Sequence, residues 1–264
     1  IVSYGRVSGM KITVLAGQSA STAILLNWLI QKGYTDLAVI LESSTTRLDL
    51  IAQRIRRLGW VRALGQVAFM AGAMPILRFE SASRRRELLS LYELEDQMPA
   101  LDQCLNVQTI NDKQVADHLR SRAADLVLVN GTRIIRAPML QATDAPIINT
   151  HVGITPYYRG VHGGYWSLWN NDRENFGVTL HCVDEGVDTG RILAQHKITP
   201  EPTDNFASYP LLQQAASFGG LEDLLEAIRK GEPLKELARS PDEGRQWMHP
   251  TLIEYARGRL RGVR

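Results

Sequence analysis

Cysteine is almost missing from this chain of 264 residues, which holds only Cys104 and Cys182. Two thiols make neither a disulfide framework nor a set of metal-ligand spacings. No metal is therefore expected, and a reducing, cytoplasmic setting is. Long apolar runs are missing as well: none approaches the ~18–20 residues that cross a bilayer, and the chain opens on no signal-peptide pattern. No membrane partner is expected. Charge of one sign is scarce, because the formal net charge is +2, too small to argue for a nucleic-acid partner. The basic clusters Arg84, Arg85, Arg86 and Arg257, Arg259, Arg261, Arg264 read as solvated surface. No serine or cysteine stands in a nucleophile-elbow context such as G-x-S-x-G, which argues against an acyl-enzyme.

What is present is the balance of a folded chain, 44% hydrophobic and 22% charged, long enough to bury a core. "KITVLAG" (11–17) is a short apolar run closed by Gly17, and "SASTAILLNWLIQKG" follows with helical spacing and a Gly33 stop. A buried strand feeding a helix is predicted. "DLAVILES" (36–43) is continuously rather than alternately hydrophobic, the pattern of a parallel strand covered on both faces. Residues 46–72 are predicted helical with Arg54, Arg56 and Arg57 on the wet side, and so are residues 73–104, broken at Pro99. Strands follow at 105–110, 125–131 and 145–151, with a helix between the first two.

Strands alternating with helices imply a Rossmann-like, doubly wound α/β fold with a mainly parallel sheet. "FGVTLHCVD" (176–184) and "RILAQHKITP" (191–200) add a C-terminal hairpin to it. Beyond Pro200 the spacing is helical, with Pro241 and Pro250 as punctuation. The expected organisation is a leader over 1–10, either disordered or part of an upstream extension, an α/β domain over 11–200 and a short helical extension over 201–264.

Asn149 and His151 end the 145–151 strand, at the carboxyl edge where doubly wound sheets bind ligands. Buried there, they are costly unless satisfied, and a lone histidine at a strand end is more often structural than catalytic. Its company changes that. Pro156, Tyr157, Tyr158, Arg159 and Gly160 form a stiff turn carrying a cation, "GVHGG" brings His162 beside it, and Asp188 arrives in the Gly-flanked loop "EGVDTG". An amide, an imidazole and a carboxylate at one sheet end suit acyl transfer by direct attack of an amine. The amide and imidazole stabilise an oxyanion, and the carboxylate tunes the imidazole and moves protons.

"NTHVGITPYYRG" followed by "GVTLHCVDEGVDTGRILAQ" resembles the signature of the folate-dependent formyltransferases, the family of phosphoribosylglycinamide, methionyl-tRNA and sugar N-formyltransferases. The resemblance covers about residues 11–200. It implies that Asn149, His151 and Asp188 are the catalytic triad and that 10-formyl-tetrahydrofolate is the formyl donor. It also implies a folate site on the backbone of two loops, Gly131, Thr132, Arg133, Ile134 in one and Val183, Asp184, Glu185, Gly186, Val187 in the other.

The departures narrow the acceptor. Where phosphoribosylglycinamide formyltransferases carry a Gly-rich phosphate loop, this chain has "AGQSASTA", in which Ser19 either contacts an anion or caps the helix. The β-rich domain of methionyl-tRNA formyltransferases has no counterpart in the helical residues after Pro200. The expected acceptor is the primary amine of a small molecule, an amino sugar nucleotide first, held by Ser19, Arg159 and His162; a homodimer is left open. The alternatives are a formyl-tetrahydrofolate hydrolase, a phosphoribosylglycinamide formyltransferase and a non-catalytic folate-binding protein. Tyr165, Trp166, Trp169 and Tyr209 either line the acceptor pocket or, the stronger reading for the two tryptophans, pack the core. His181 is expected to be structural.

Overall fold

The computed structural model describes residues 9–44, 46–238, 240 and 244–264. The leader expected over 1–10 lies outside them except for Gly9 and Met10, and Pro241 lies outside them too. Met10 is buried in the core.

The first half of the chain runs β1 (Ile12–Gly17), α1 (Ala20–Gln31), β2 (Leu37–Glu42), α2 (Arg47–Leu58), α3 (Trp60–Ala68), a π-helical turn (Phe69–Ala73), α4 (Met74–Glu80), α5 (Ala82–Leu91), β3 (Cys104–Val107), α6 (Lys113–Arg122) and β4 (Leu126–Asn130). The second runs α7 (Ala137–Leu140), β5 (Ile147–His151), β6 (Tyr158–Gly160), α8 (Gly163–Trp169), β7 (Gly177–Cys182), β8 (Ile192–Lys197), α9 (Tyr209–Arg229), β9 (Arg245–Trp247) and α10 (Leu252–Leu260).

Seven strands form one sheet in the order β3-β2-β1-β4-β5-β7-β8. The first five are mutually parallel, while β7 runs antiparallel to β5 and β8 antiparallel to β7. This is the mainly parallel, doubly wound sheet with a terminal hairpin that the alternation predicted. The order reverses beside β1, and that switch point opens the crevice at the strands' carboxyl ends. Both sheet faces are covered. Side chains of α1 and α9, with Trp28 stacked on Phe218, pack one face around Val14, Leu26 and Leu128; Val115, Leu119 and Met139 cover the other around Leu15, Ile40 and Val127. Each such aliphatic side chain taken fully from water contributes about 1.5–3 kcal/mol.

Three expectations change. Residues 201–264 hold a strand as well as helices: β9 pairs in parallel with β6, a link across some 85 residues that no local pattern signals. Arg84 is not solvated surface. It is buried and paired through Nε and Nη2 with the buried carboxylate of Asp204, 3.1 and 3.2 Å away, so it ties α5 to the segment leading into α9. Finally, α3, the π turn and α4 continue as one rod, Trp60–Glu80, which is long and apolar enough by length and composition to cross a membrane. The expectation that no stretch has that length fails here because Arg62, Gly65, Gln66, Gly72 and Pro75 interrupt the apolar letters without interrupting the helix.

Candidate active site

β5 delivers Asn149 and His151, and the antiparallel register of β7 sets His181 beside Asn149 and Thr179 beside His151. Asp188, in the loop between β7 and β8, completes the group. Its φ of +52° is unusual for a side chain with a Cβ, though least so for Asp and Asn, and the Gly160 amide holds the carboxylate by donating to Oδ2 at 2.8 Å. Oδ2 also lies 3.3 Å from His151 Nδ1, and Oδ1 lies 3.5 Å from His181 Nε2. One carboxylate thus faces two buried imidazoles.

The hydrogen bonds fix proton positions. His181 Nδ1 donates to the Cys182 carbonyl at 2.7 Å, which leaves Nε2 to accept from Asn149 Nδ2 at 3.2 Å. Asn149 Nδ2 carries two N–H groups, so one is available to the crevice that Asn149 lines. His151 Nε2 donates to the Tyr158 carbonyl at 2.7 Å. With a carbonyl on one ring nitrogen and a carboxylate on the other, His151 has acceptors for both protons of an imidazolium.

Burial pushes the His151 imidazole below its ordinary value; Asp188 and the Tyr158 carbonyl pull it back upward. Burial alone would raise the Asp188 carboxyl, yet the His151 charge, the nearby His181 ring and the Gly160 amide outweigh it and hold it at about 2. Asp188 is therefore an anion at any neutral pH. Close backbone packing builds this arrangement: a Cβ on Gly153 would stand 2.5 Å from the Tyr158 carbonyl oxygen and 2.7 Å from His151 Nε2. Glycine is required there for the Tyr158 carbonyl to reach the ring.

The four polar residues open into a cleft of about 830 Å³, within the range of small-molecule sites. Gly131, Thr132, Arg133 and Ile134 line it, as do Val183, Asp184, Gly186 and Val187; Glu185 does not. The 131–134 loop is tied down by Glu42, a buried carboxylate at the end of β2 that accepts from the Arg133 amide at 2.8 Å, the Arg133 guanidinium at 3.1 Å and the Ile110 amide at 2.7 Å. Arg133 is thus a brace of its own loop rather than a loose surface cation. Ser19 lines the cleft while capping α1, its Oγ accepting from the Thr22 amide.

Arg159 and His162 do not line the cleft. The Arg159 guanidinium instead donates to the Val187 carbonyl at 3.4 Å, bracing the loop that carries Asp188. His162 is sequestered behind the cleft wall, with Nε2 2.9 Å from His249 Nδ1, and it is His249 that faces the cleft. Tyr165, Trp166 and Tyr209 are core residues.

Two groups of lining residues were not foreseen. His181 was expected to be structural, although the strand register, had it been read from the two motifs, places it opposite Asn149. The far wall is built by Leu50, Gln53, Arg54 and Arg57 of α2 and by Gln246, Trp247, Met248 and His249. Among the described residues neither Arg54 nor Arg57 has a carboxylate partner, and burial pushes the Arg54 guanidinium below its ordinary value.

A doubly wound sheet whose carboxyl edge gathers an amide, two imidazoles and a carboxylate in a cleft can stabilise developing negative charge and move protons. A family model described as formyl transferase matches residues 71–212, more than half of the chain, and the chain belongs to that family. Methionyl-tRNA formyltransferase of Myxococcus xanthus is 35% identical over 149 residues, covering 55% of this chain and 45% of that protein. The chain spans about half the length of the relatives it matches in this way. Among solved structures, an N-formyltransferase from Helicobacter canadensis in complex with folinic acid and dTDP-3-aminofucose superposes with a TM-score of 0.53 at 15% identity, over 90% of this chain and 71% of that one. Glycinamide ribonucleotide transformylase 1 from Symbiobacterium toebii superposes with a TM-score of 0.52 at 19% identity, over 90% of this chain and all of that one. At these identities the likeness is one of fold.

Proposed function

We propose that this chain transfers a formyl group from 10-formyl-tetrahydrofolate to the primary amine of an anionic small molecule, an amino sugar nucleotide first among them. The observation that carries the reading is the convergence of Asn149, His151 and Asp188 at the cleft floor, from two motifs some forty residues apart in the chain. The donor fits the residues present: the 131–134 and 183–187 loops offer a rim with two glycines, where backbone amides and carbonyls can meet a pterin edge. Bound there, it supplies a formyl carbon already activated on nitrogen.

The chain's own residues divide the remaining work. The second N–H of Asn149 Nδ2 is positioned to donate to an oxygen that gains charge. Both nitrogens of His151 are engaged, so His151 acts through its charge and its proton rather than through a free donor. Asp188 stabilises that charge and accepts or returns a proton through the His151 ring as the attacking amine loses one and the departing nitrogen gains one. Folinic acid and dTDP-3-aminofucose in the Helicobacter canadensis protein support the donor class and the acceptor class.

The acceptor reading rests on the far wall. A partly desolvated guanidinium with no carboxylate partner among the described residues, as at Arg54, is costly unless an anion meets it, and Arg54, with the exposed Arg57, takes the place in the cleft once expected of Arg159. In "AGQSASTA" the hydroxyls are already engaged: Thr22 Oγ1 donates to the Gly17 carbonyl at 2.6 Å and Asn130 Nδ2 donates to Ser21 and Thr22. This favours a sugar nucleotide over phosphoribosylglycinamide.

A panel of amines assayed for tetrahydrofolate release, with mass spectrometry for one added formyl group, tests the reading. His151→Ala should lower turnover of the cognate amine by about 10²-fold or more while folate binding, measured calorimetrically, persists. Unchanged turnover would remove His151 from the mechanism, and formate release without an amine product would make the protein a hydrolase.

A further inference from the structure

The rod Trp60–Glu80 has two apolar faces where a helix on a globular surface has one. Its inner face, Ala63, Gln66, Phe69, Met74 and Leu77, is buried, with Phe69 packed against Phe206 and Tyr255. The π turn adds one residue between Phe69 and Met74 and keeps this face in phase. Its outer face repeats at the same spacing through Trp60, Leu64, Ala68, Gly72, Ile76 and Phe79, all exposed. Trp60 is 67% and Phe79 85% exposed. From residue 63 to residue 77 there is no charged side chain at all. At 1.5 Å per residue the stripe runs about 30 Å.

Basic residues border it. Of the nine arginines in residues 46–91, Arg84 is buried against Asp204, Arg62 and Arg85 pair with Glu254 and Asp96, and Arg54 and Arg57 line the cleft, while Arg56, Arg78 and Arg86 are exposed. Arg56 and Arg78, both exposed, flank the stripe. α2, which precedes the rod, exposes Leu48 and Ile55 among its own arginines.

We propose that this face docks on the surface of an anionic phospholipid bilayer, with the rod lying in the headgroup region. An apolar stripe with a basic border and an aromatic residue at its end is the pattern of an interfacial helix. The buried inner face prevents the rod from spanning, since Phe69 and Leu77 belong to the protein core. Charge selects the occupant. A second copy docked face to face would set basic border against basic border, because a twofold contact joins like surface to like, whereas anionic headgroups complement it at about 1 kcal/mol per arginine. Because Leu50, Arg54 and Arg57 of α2 line the cleft, docking places the far wall of the cleft at the membrane face. The proposal stands apart from the catalytic reading, since binding to lipid alone tests it.

Flotation of the full chain with phosphatidylcholine vesicles, with and without phosphatidylglycerol, is the experiment. The protein should float with the anionic vesicles and be released by salt. Leu64→Asp with Phe79→Asp, both at exposed positions and checked for an unchanged melting curve, should stay unbound. Arg56→Gln with Arg78→Gln should bind about fivefold more weakly per arginine. Failure of the unaltered chain to bind anionic vesicles, equal binding to neutral ones, or full binding by the double aspartate variant overturns the proposal. So does a concentration-dependent dimer, without vesicle binding, that the aspartates dissolve.

Discussion

The two walls of the cleft are built on opposite principles. On the sheet side every polar group has a partner within the chain: Asn149 with His181, His151 with the Tyr158 carbonyl and Asp188, Asp188 with the Gly160 amide. On the side of α2 and the 246–249 segment, Arg54 and Arg57 meet no carboxylate among the described residues. The first wall is organised before any ligand arrives, as a site that stabilises transient charge needs to be. The second leaves charge for a ligand to complete. The difference separates chemistry from recognition, and it can be broken from either side.

The largest effect is expected from Asp188→Asn. The substitution keeps shape and removes the anion that faces both imidazoles, so His151 loses the group that favours its charged form. Turnover should fall by about 10³-fold, with the KM for donor and acceptor little changed, and the pH profile should shift because the His151 pKa falls further. A fall in affinity with turnover intact would place Asp188 in recognition and erase the contrast between the walls.

A smaller effect sharpens the comparison through stability. Burial, and then the Arg54 charge, push the His249 imidazole down to about 4 from an ordinary 6.5, and burial, His249 and Arg54 push His162 well below that ordinary value. These rings are neutral in the folded protein and take protons when it unfolds. Their contribution is therefore fully present above pH 6.5 and lost as pH falls toward 4. For His249 this amounts to about 3 kcal/mol. Asp188 works in a different window: its depressed pKa gives stability that is present above the ordinary carboxylate value, 3.8, and lost on acidification toward 2. Denaturant unfolding at pH 7 and at successive steps down to pH 4 should show a loss that His249→Gln reduces. An equal loss in the variant would mean that other groups set the acid limit.

How much of this was legible in the sequence follows the same division. The central strands of the sheet announced themselves because they are short, apolar and mostly buried, and Asn149, His151 and Asp188 stood out as polar residues where such strands end. The contact of His181 with Asn149 was not visible because its partner across β5 and β7 depends on register, which neighbours in sequence do not reveal. Arg159 and His162 adjoin the site in the chain, but the β6–β9 pairing turns that segment so that His249 reaches the cleft and His162 stands behind it. The far wall had no local signal. Arg54 and Arg57 read as the wet side of a helix, and only tertiary packing shows that this side faces a cleft. Arg84 is the converse, an arginine whose buried partner Asp204 lies 120 residues away.

Arg54→Gln gives the smallest of these effects and the most direct test of the second wall. A charge-assisted hydrogen bond to an anion is worth about 1.5–3 kcal/mol, so the KM for an anionic amine should rise by about tenfold or more. Turnover at saturation and affinity for folate should stay as they are, because Arg54 is placed on the far wall and not beside Asn149 or Asp188. The comparison sharpens if a neutral amine is assayed beside the anionic one. Arg54→Gln should narrow the preference between them, since it removes attraction to the anion and leaves the shared amine untouched. Weaker folate binding instead would put the donor against α2 and reverse the assignment of the walls; equal losses for charged and neutral amines would show that Arg54 shapes the cleft without reading charge.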